Sequence, residues 1–185
     1  MRERIWEKIK GWNGVFFSQA GREVLIKSIL QAIPGYVASC LKLPKTLISE
    51  IHSAIAKFWW GNCNGANKTH WCAWEVLVQN KLEGGMGFRD LEKFNQALIA
   101  KNVWRFLKRP DSLVGKVFRE SYYPHGDILS GQCGSNSSFM WRSLVWGREI
   151  ILAGTRWSIS DGESVMVMGD KWIPRPRLFA WIDPL

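Results

Sequence analysis

Apolar residues recur at helical spacing along most of the chain. Ile5, Ile9 and Trp12 fall four and three apart, which predicts a first helix over residues 2–12. Ser18 is a suitable N-cap, because its hydroxyl can accept a bond from an orphan backbone N–H of the first turn. A helix is expected from about Gln19 to Ile33, with Leu25, Ile29, Ala32 and Ile33 as one inward stripe and Arg22 and Lys27 off it. Pro34-Gly35 stops it. Tyr36 to Leu43 leads to Pro44, whose missing N–H costs nothing at a helix start. Leu47, Ile51, Ile55 and Phe58 mark one face of the next helix, ending near Trp59-Trp60-Gly61. Residues 61–69 read as a polar loop, and 71–77 is ambiguous between strand and helix. Gly84-Gly85-Met86-Gly87 reads as a tight turn, since it lacks the lysine and serine or threonine of a phosphate loop.

Asp90 predicts the N-cap of a helix with Glu92 in its first turn and Lys108-Arg109 in its last, before Pro110. That charge order suits the helix dipole. Ala97, Ala100, Trp104 and Leu107 form its expected buried stripe. Asp111 is expected to cap a short helix through Leu113, Val114, Val117 and Phe118. Residues 124–137 are rich in Pro, Gly, Ser and Asn and are the best internal boundary. Ser137 or Ser138 caps a helix through Trp141, Leu144, Val145 and Ile151, stopped by Gly154. Trp157 and Ile159 then alternate before Asp161-Gly162, and Val165 and Val167 after it. A loop of Ser160, Asp161 and Gly162 puts all four apolar residues on one face, predicting a β-hairpin with Gly162 left-handed in a bulge. Residues 173–185, with Pro174, Pro176 and Pro184, read as an irregular tail. The expected fold is mainly α (α+β), several short amphipathic helices with a C-terminal β-hairpin. It divides into a helical region over 1–123, a loop over 124–137, a helix plus hairpin over 138–172 and the tail.

Composition changes this picture in two ways. The 185 residues hold 25 Lys+Arg against 16 Asp+Glu, a net charge of +9, which favours a polyanion: nucleic acid before an anionic membrane. There are also 12 Trp against 3 Tyr, which either stack on bases or pack inside. Trp59, Trp104, Trp141 and Trp157 lie at helical or strand spacing and are expected in the core. A hydrophobic share of 46% excludes a wholly disordered chain. No apolar run approaches the length of a membrane span. Cys40, Cys63, Cys72 and Cys133 form no CxxC pair and are expected as reduced, mostly buried thiols. The first eight residues mix acids with bases, so no targeting peptide is read and an intracellular domain is expected.

The acids offer little chemistry. Asp90/Glu92 and Asp161/Glu163 are the close pairs, and each reads as a cap or turn; no Asp-Asp occurs. A two-metal nuclease or polymerase needs clustered carboxylates. Cys63, His70 and Cys72 lack a clear fourth ligand and read as loop and core residues; neither metal nor cofactor is assigned. His52 and His125 have no visible partner. The bases are more informative. From Lys93 to Arg109 there are five bases and no acid, and Lys101, Arg105 and Lys108 share one helix face. With Arg22 and Lys27 upstream, these are the candidate phosphate contacts; the alternative is a solvated helix face.

An ordered series of segments carries a resemblance. It comprises Phe17–Lys27, Gln31–Tyr36, Lys42-Leu43-Pro44, Phe58-Trp59-Trp60-Gly61, Glu83–Leu91 and Phe94–Lys101. It continues through Trp141-Arg142-Ser143-Leu144, Trp157-Ser158-Ile159, Asp161–Val165 and Asp170-Lys171-Trp172. The series resembles the region just after the polymerase core of plant LINE-type (non-LTR) retrotransposon reverse transcriptases, and covers nearly the whole chain. On that resemblance the Ser18–Arg22 helix is thumb-like, and Arg22 and Lys27 contact the backbone of a template–primer duplex. The rest resembles the linker toward a downstream zinc-binding region. The family's Phe/Tyr-x-Asp-Asp motif is absent here, as is that zinc-binding region. The expectation is therefore a non-catalytic fragment of an RNA-directed DNA polymerase. Its implied partners are an RNA–DNA or DNA duplex and the missing polymerase core, with no membrane and, by resemblance, a nuclear location. The alternatives are an interaction or structural module without nucleic-acid binding, and a retroelement remnant with no selected function.

Overall fold

A computed structural model describes residues 2–12, 17–61 and 69–156, together with Glu163. The fold is mostly helical, with no strand among the described residues. Apart from Glu163, the hairpin expected at Trp157–Val167 lies outside them, as do the tail 173–185, Cys63 and most of the 61–69 loop. The α-helices are α1 (Arg2–Gly11), α2 (Gln19–Leu25), α3 (Gly35–Cys40), α4 (Lys45–Trp60), α5 (Trp74–Val78), α6 (Leu91–Lys108), α7 (Leu113–Tyr122) and α8 (Phe139–Gly154). A π-turn, Ile26–Leu30, continues α2, and a 3-10 turn, Lys81–Glu83, follows α5.

Local chemistry sets most boundaries. Ser18 caps α2 by accepting from Gly21 N–H, Ser138 caps α8 by accepting from Trp141 N–H, and Asp90 caps α6 by accepting from Glu92 and Lys93 N–H. Ser112 rather than Asp111 caps α7, because its hydroxyl reaches Gly115 N–H at 3.2 Å. Gly61 ends α4 with φ 76°, a left-handed conformation that an L side chain resists. The segment left open at 71–77 is helical over Trp74–Val78. Gly84 and Gly87 take φ 84° and 64°, which accounts for a glycine-rich turn after the 3-10 segment.

Two apolar cores lie along α6. The first gathers Ile5 of α1, Ile26 and Leu30 of the π-turn, Ile48, Ile51, Ile55 and Phe58 of α4, and Leu77, Phe88 and Leu91. The second holds Ile99, Val103 and Phe106 of α6, Phe118 of α7, Tyr123, Ile128, and Trp141 and Leu144 of α8. Each fully buried Ile or Phe contributes about 1.5–3 kcal/mol relative to exposure. The helix α8 lies close against α6 at Gly147, where a Cβ would stand 2.6 Å from Ile99 Cγ2 and 2.9 Å from Ala100 N.

The two cores meet inside α6, where Leu91 belongs to the first and Ile99 to the second. The loop over 124–137 belongs to the second core: Ile128 is buried, Arg148 Nη1 donates to Leu129 O at 2.8 Å, and Trp141 Nε1 donates to Gln132 O at 3.1 Å.

Two expected stripes are out of phase with the observed ones. In α2 and the π-turn the buried side chains are Arg22, Ile26 and Leu30, while Leu25 and Ile29 are half-buried. In α6 they are Leu91, Asn95, Ile99, Ala100, Val103 and Phe106; of the expected stripe Ala100 is buried and Leu107 half-buried, but Ala97 is exposed and Trp104 is 43% exposed rather than core. The cause is the same in both. A polar residue sits on the inward face, and a count of apolar residues passes over it.

Candidate nucleic-acid interface on helix α6

The five bases singled out by sequence separate into two groups. Lys101, Arg105 and Lys108 project from the outer face of the C-terminal half of α6, all exposed. Among the described residues none of the three is in an ion pair with an acid. At about 100° per residue, Lys101, Arg105 and Lys108 fall within roughly 60° of one another around the helix axis. The buried side of α6 holds Ile99, Val103 and Phe106 against α7 and α8, so the amphipathic packing itself fixes which face is basic.

Arg22 and Lys27 belong to the first core and not to this face. Arg22 is only 9% exposed, and its Nη1 donates to Trp59 O at 3.2 Å, beneath Gly61. Its charge is directed at the C-terminal carbonyls of α4, where a cation is favoured. Lys27 Nζ lies 2.8 Å from Glu23 Oε1 and 5.8 Å from the centre of the Phe88 ring. Lys81 reaches the same Glu23 oxygen at 2.7 Å. Hydrogen bonds from Lys27 and Lys81 hold the Glu23 carboxyl below the usual carboxylate range. The charge of Lys27 is thus largely spent inside the molecule.

The structure adds a residue to the basic face. Trp104 is 43% exposed, and Lys108 Nζ stands 5.1 Å from its ring centre. The signal was present in the spacing: Trp104 is three residues after Lys101 and four before Lys108, so it shares their side of the helix.

The remaining candidates carry less. His52, expected without a partner, accepts a hydrogen bond from Leu91 N–H through Nε2 at 3.2 Å and stacks on Trp74 with ring centres 4.8 Å apart. It stands between two open hollows of about 390 and 590 Å³ beside α4 and α5. Burial pushes its pKa below 6.5, outweighing Asp90, Glu75 and Glu92, which act in the opposite direction. His70 stacks on Trp60. Cys40 and Cys72 are half-buried and Cys133 is exposed, so the described thiols are more open than expected. Among the described residues no three His, Cys, Asp or Glu side chains come together as a metal cage would require. No described helix is long and apolar enough to cross a membrane.

No family model and no solved structure matches the chain. It is 40% identical over 143 residues to the uncharacterized mitochondrial protein AtMg00310 of Arabidopsis thaliana, covering 77% of this chain and 93% of that protein. It is 32% identical over 176 residues to a putative ribonuclease H protein of the same plant, covering 92% of this chain but 28% of that longer protein.

Proposed function

The chain belongs to the family of the uncharacterized mitochondrial protein AtMg00310, and from that premise we propose that it is a retroelement-derived, non-catalytic module that binds nucleic acid weakly through phosphates. The lineage proposed is that of LINE-type reverse transcriptases, in the region after the polymerase core. Two things support the lineage: the ordered motif series and the match to part of a longer putative ribonuclease H protein. The observation that carries the binding is the acid-free run from Lys93 to Arg109, with Lys101, Arg105 and Lys108 exposed on one face. Neutralising phosphate releases condensed counterions, so such binding weakens steeply with salt.

A salt titration of binding to an RNA–DNA hybrid tests it. Lys101→Ala, Arg105→Ala and Lys108→Ala should each lower the slope of log affinity against log salt by about one. Affinity indifferent to salt, or no binding at low salt, overturns the reading.

A second reading has its own observation. On α7, Leu113, Val114 and Val117 are 81%, 43% and 59% exposed. The chain spans 28% of its longer relative, and in a longer protein this face suits packing against a further domain, such as the polymerase core that the motif series implies. A monodisperse monomer whose light scattering is unchanged by Val117→Asp counts against it.

A further inference from the structure

We propose that Trp104 makes the basic face of α6 a stacking platform for an unpaired base, so that this site takes single-stranded nucleic acid in preference to continuous duplex. The inference rests on the nucleic-acid reading above and adds the form of the ligand. Trp104 keeps 43% of its surface open. It stands one turn from Lys101 on one side and from Lys108 on the other, with Arg105 adjacent in sequence. An aromatic plane flanked by cations one helical turn apart is the arrangement that holds a single strand: phosphates meet the cations, and a base lies on the ring. A continuous duplex offers phosphates but hides its base faces in the stack, so it engages the lysines and arginine alone.

The Lys108 ammonium, 5.1 Å from the ring centre, can serve this geometry in two ways. It orients the indole by cation–π attraction from over one side of the ring, and it keeps a positive charge within reach of a phosphate adjoining the stacked base. The bland account of the same contact is a lysine stem covering an exposed indole, with no ligand involved. The two accounts differ in what Trp104→Ala does to binding.

The test uses the full chain and three probes of matched length, about a dozen nucleotides: a single strand, a blunt duplex and a single strand of abasic sites. Binding is read by fluorescence anisotropy across a salt series. Trp104→Ala should lower single-strand affinity about tenfold, leave duplex affinity unchanged and leave the salt slope unchanged, while Trp104→Phe retains most of it. The wild-type chain should bind the abasic strand as weakly as Trp104→Ala binds the normal one, a result independent of any effect of substitution on folding. Lys101→Ala should lower the slope for every probe.

Trp104→Ala binding the single strand as the wild type does, with Lys101→Ala still lowering the slope, overturns the stacking inference and leaves the phosphate reading standing. Equal wild-type affinity for normal and abasic strands overturns it likewise. No salt-dependent binding of any probe overturns both.

Discussion

Asn95 Oδ1 accepts the backbone N–H of Leu43 at 2.8 Å. The same side chain donates through Nδ2 to Ala38 O at 2.6 Å and Leu41 O at 2.9 Å. A fully buried residue of α6 thereby satisfies three backbone groups where α3 ends and the chain turns toward α4. Asn102 Nδ2, two turns further along, donates to Ser39 O at 2.6 Å and extends the seam. Asn95→Ala would leave a buried donor and two buried acceptors without partners. Each such group costs about 1–3 kcal/mol, so a loss of about 3 kcal/mol is expected after partial relaxation. Urea unfolding checks it: the midpoint should fall with the slope unchanged. Asn95→Asp should cost more, because it replaces the donor and buries a charge.

Gln31 presents the opposite case. It is as deeply buried, 1% exposed, yet its Oε1 and Nε2 have no hydrogen-bond partner among the described residues. An amide without partners in an apolar site forfeits its hydration for nothing. Gln31→Met keeps the unbranched shape and removes the polar atoms. It should raise stability by about 1 kcal/mol in the same denaturation assay. A lower midpoint would mean that the amide has a partner.

These two amides also show what the sequence conceals. Helix starts are local, so Ser18 and Asp90 are legible from the few residues around each, while Ser137 against Ser138 and Asp111 against Ser112 differ by one position that the local pattern does not resolve. Which side of a helix turns inward is not local when a polar residue belongs inside. The acceptors and donor of Asn95 lie 52 to 57 positions away, and that of Arg22 lies 37 away. Counting apolar residues in α6 therefore favoured Ala97 and Trp104, and the observed stripe runs through Asn95. The basic face suffered less, because Lys101, Arg105 and Lys108 define it by their own spacing, whichever residues lie behind. Trp104 is the exception: its apolar ring reads as core by spacing, yet it lies 43% exposed on the basic face.

His52 couples the start of α6 to pH. Its Nε2 can accept the Leu91 N–H only while the imidazole is neutral. Burial lowers its folded pKa below 6.5, so the unfolded chain takes up the proton more readily. The stability this group contributes is complete above about 6.5 and is lost as pH falls through the folded value. Asp90, Glu75 and Glu92 soften the loss, since each favours the charged ring. The urea midpoint should drop as pH falls below about 6.5. His52→Gln, which keeps an acceptor and does not titrate, should flatten that part of the profile. A profile identical to wild type would remove His52 from the account.

Arg22 separates a structural cation from a binding one. Its resemblance to a thumb residue assigns it to a duplex backbone, yet its guanidinium lies inside and donates to Trp59 O. The close approach beneath Gly61 leaves no room for a Cβ there, which would stand 2.6 Å from Arg22 Nη1. Arg22→Ala should therefore cost about 2 kcal/mol of stability, through a charge-assisted bond and the packing of the stem. Arg22→Lys should recover part of this, because a lysine keeps the charge near the end of α4 but not the planar fork. Neither variant should change the salt slope of nucleic-acid binding measured on folded protein, whereas Lys101→Ala should. An Arg22→Ala chain that unfolds at the wild-type denaturant concentration and binds with a shallower slope would return Arg22 to the interface and place the α2 end of the molecule on the ligand.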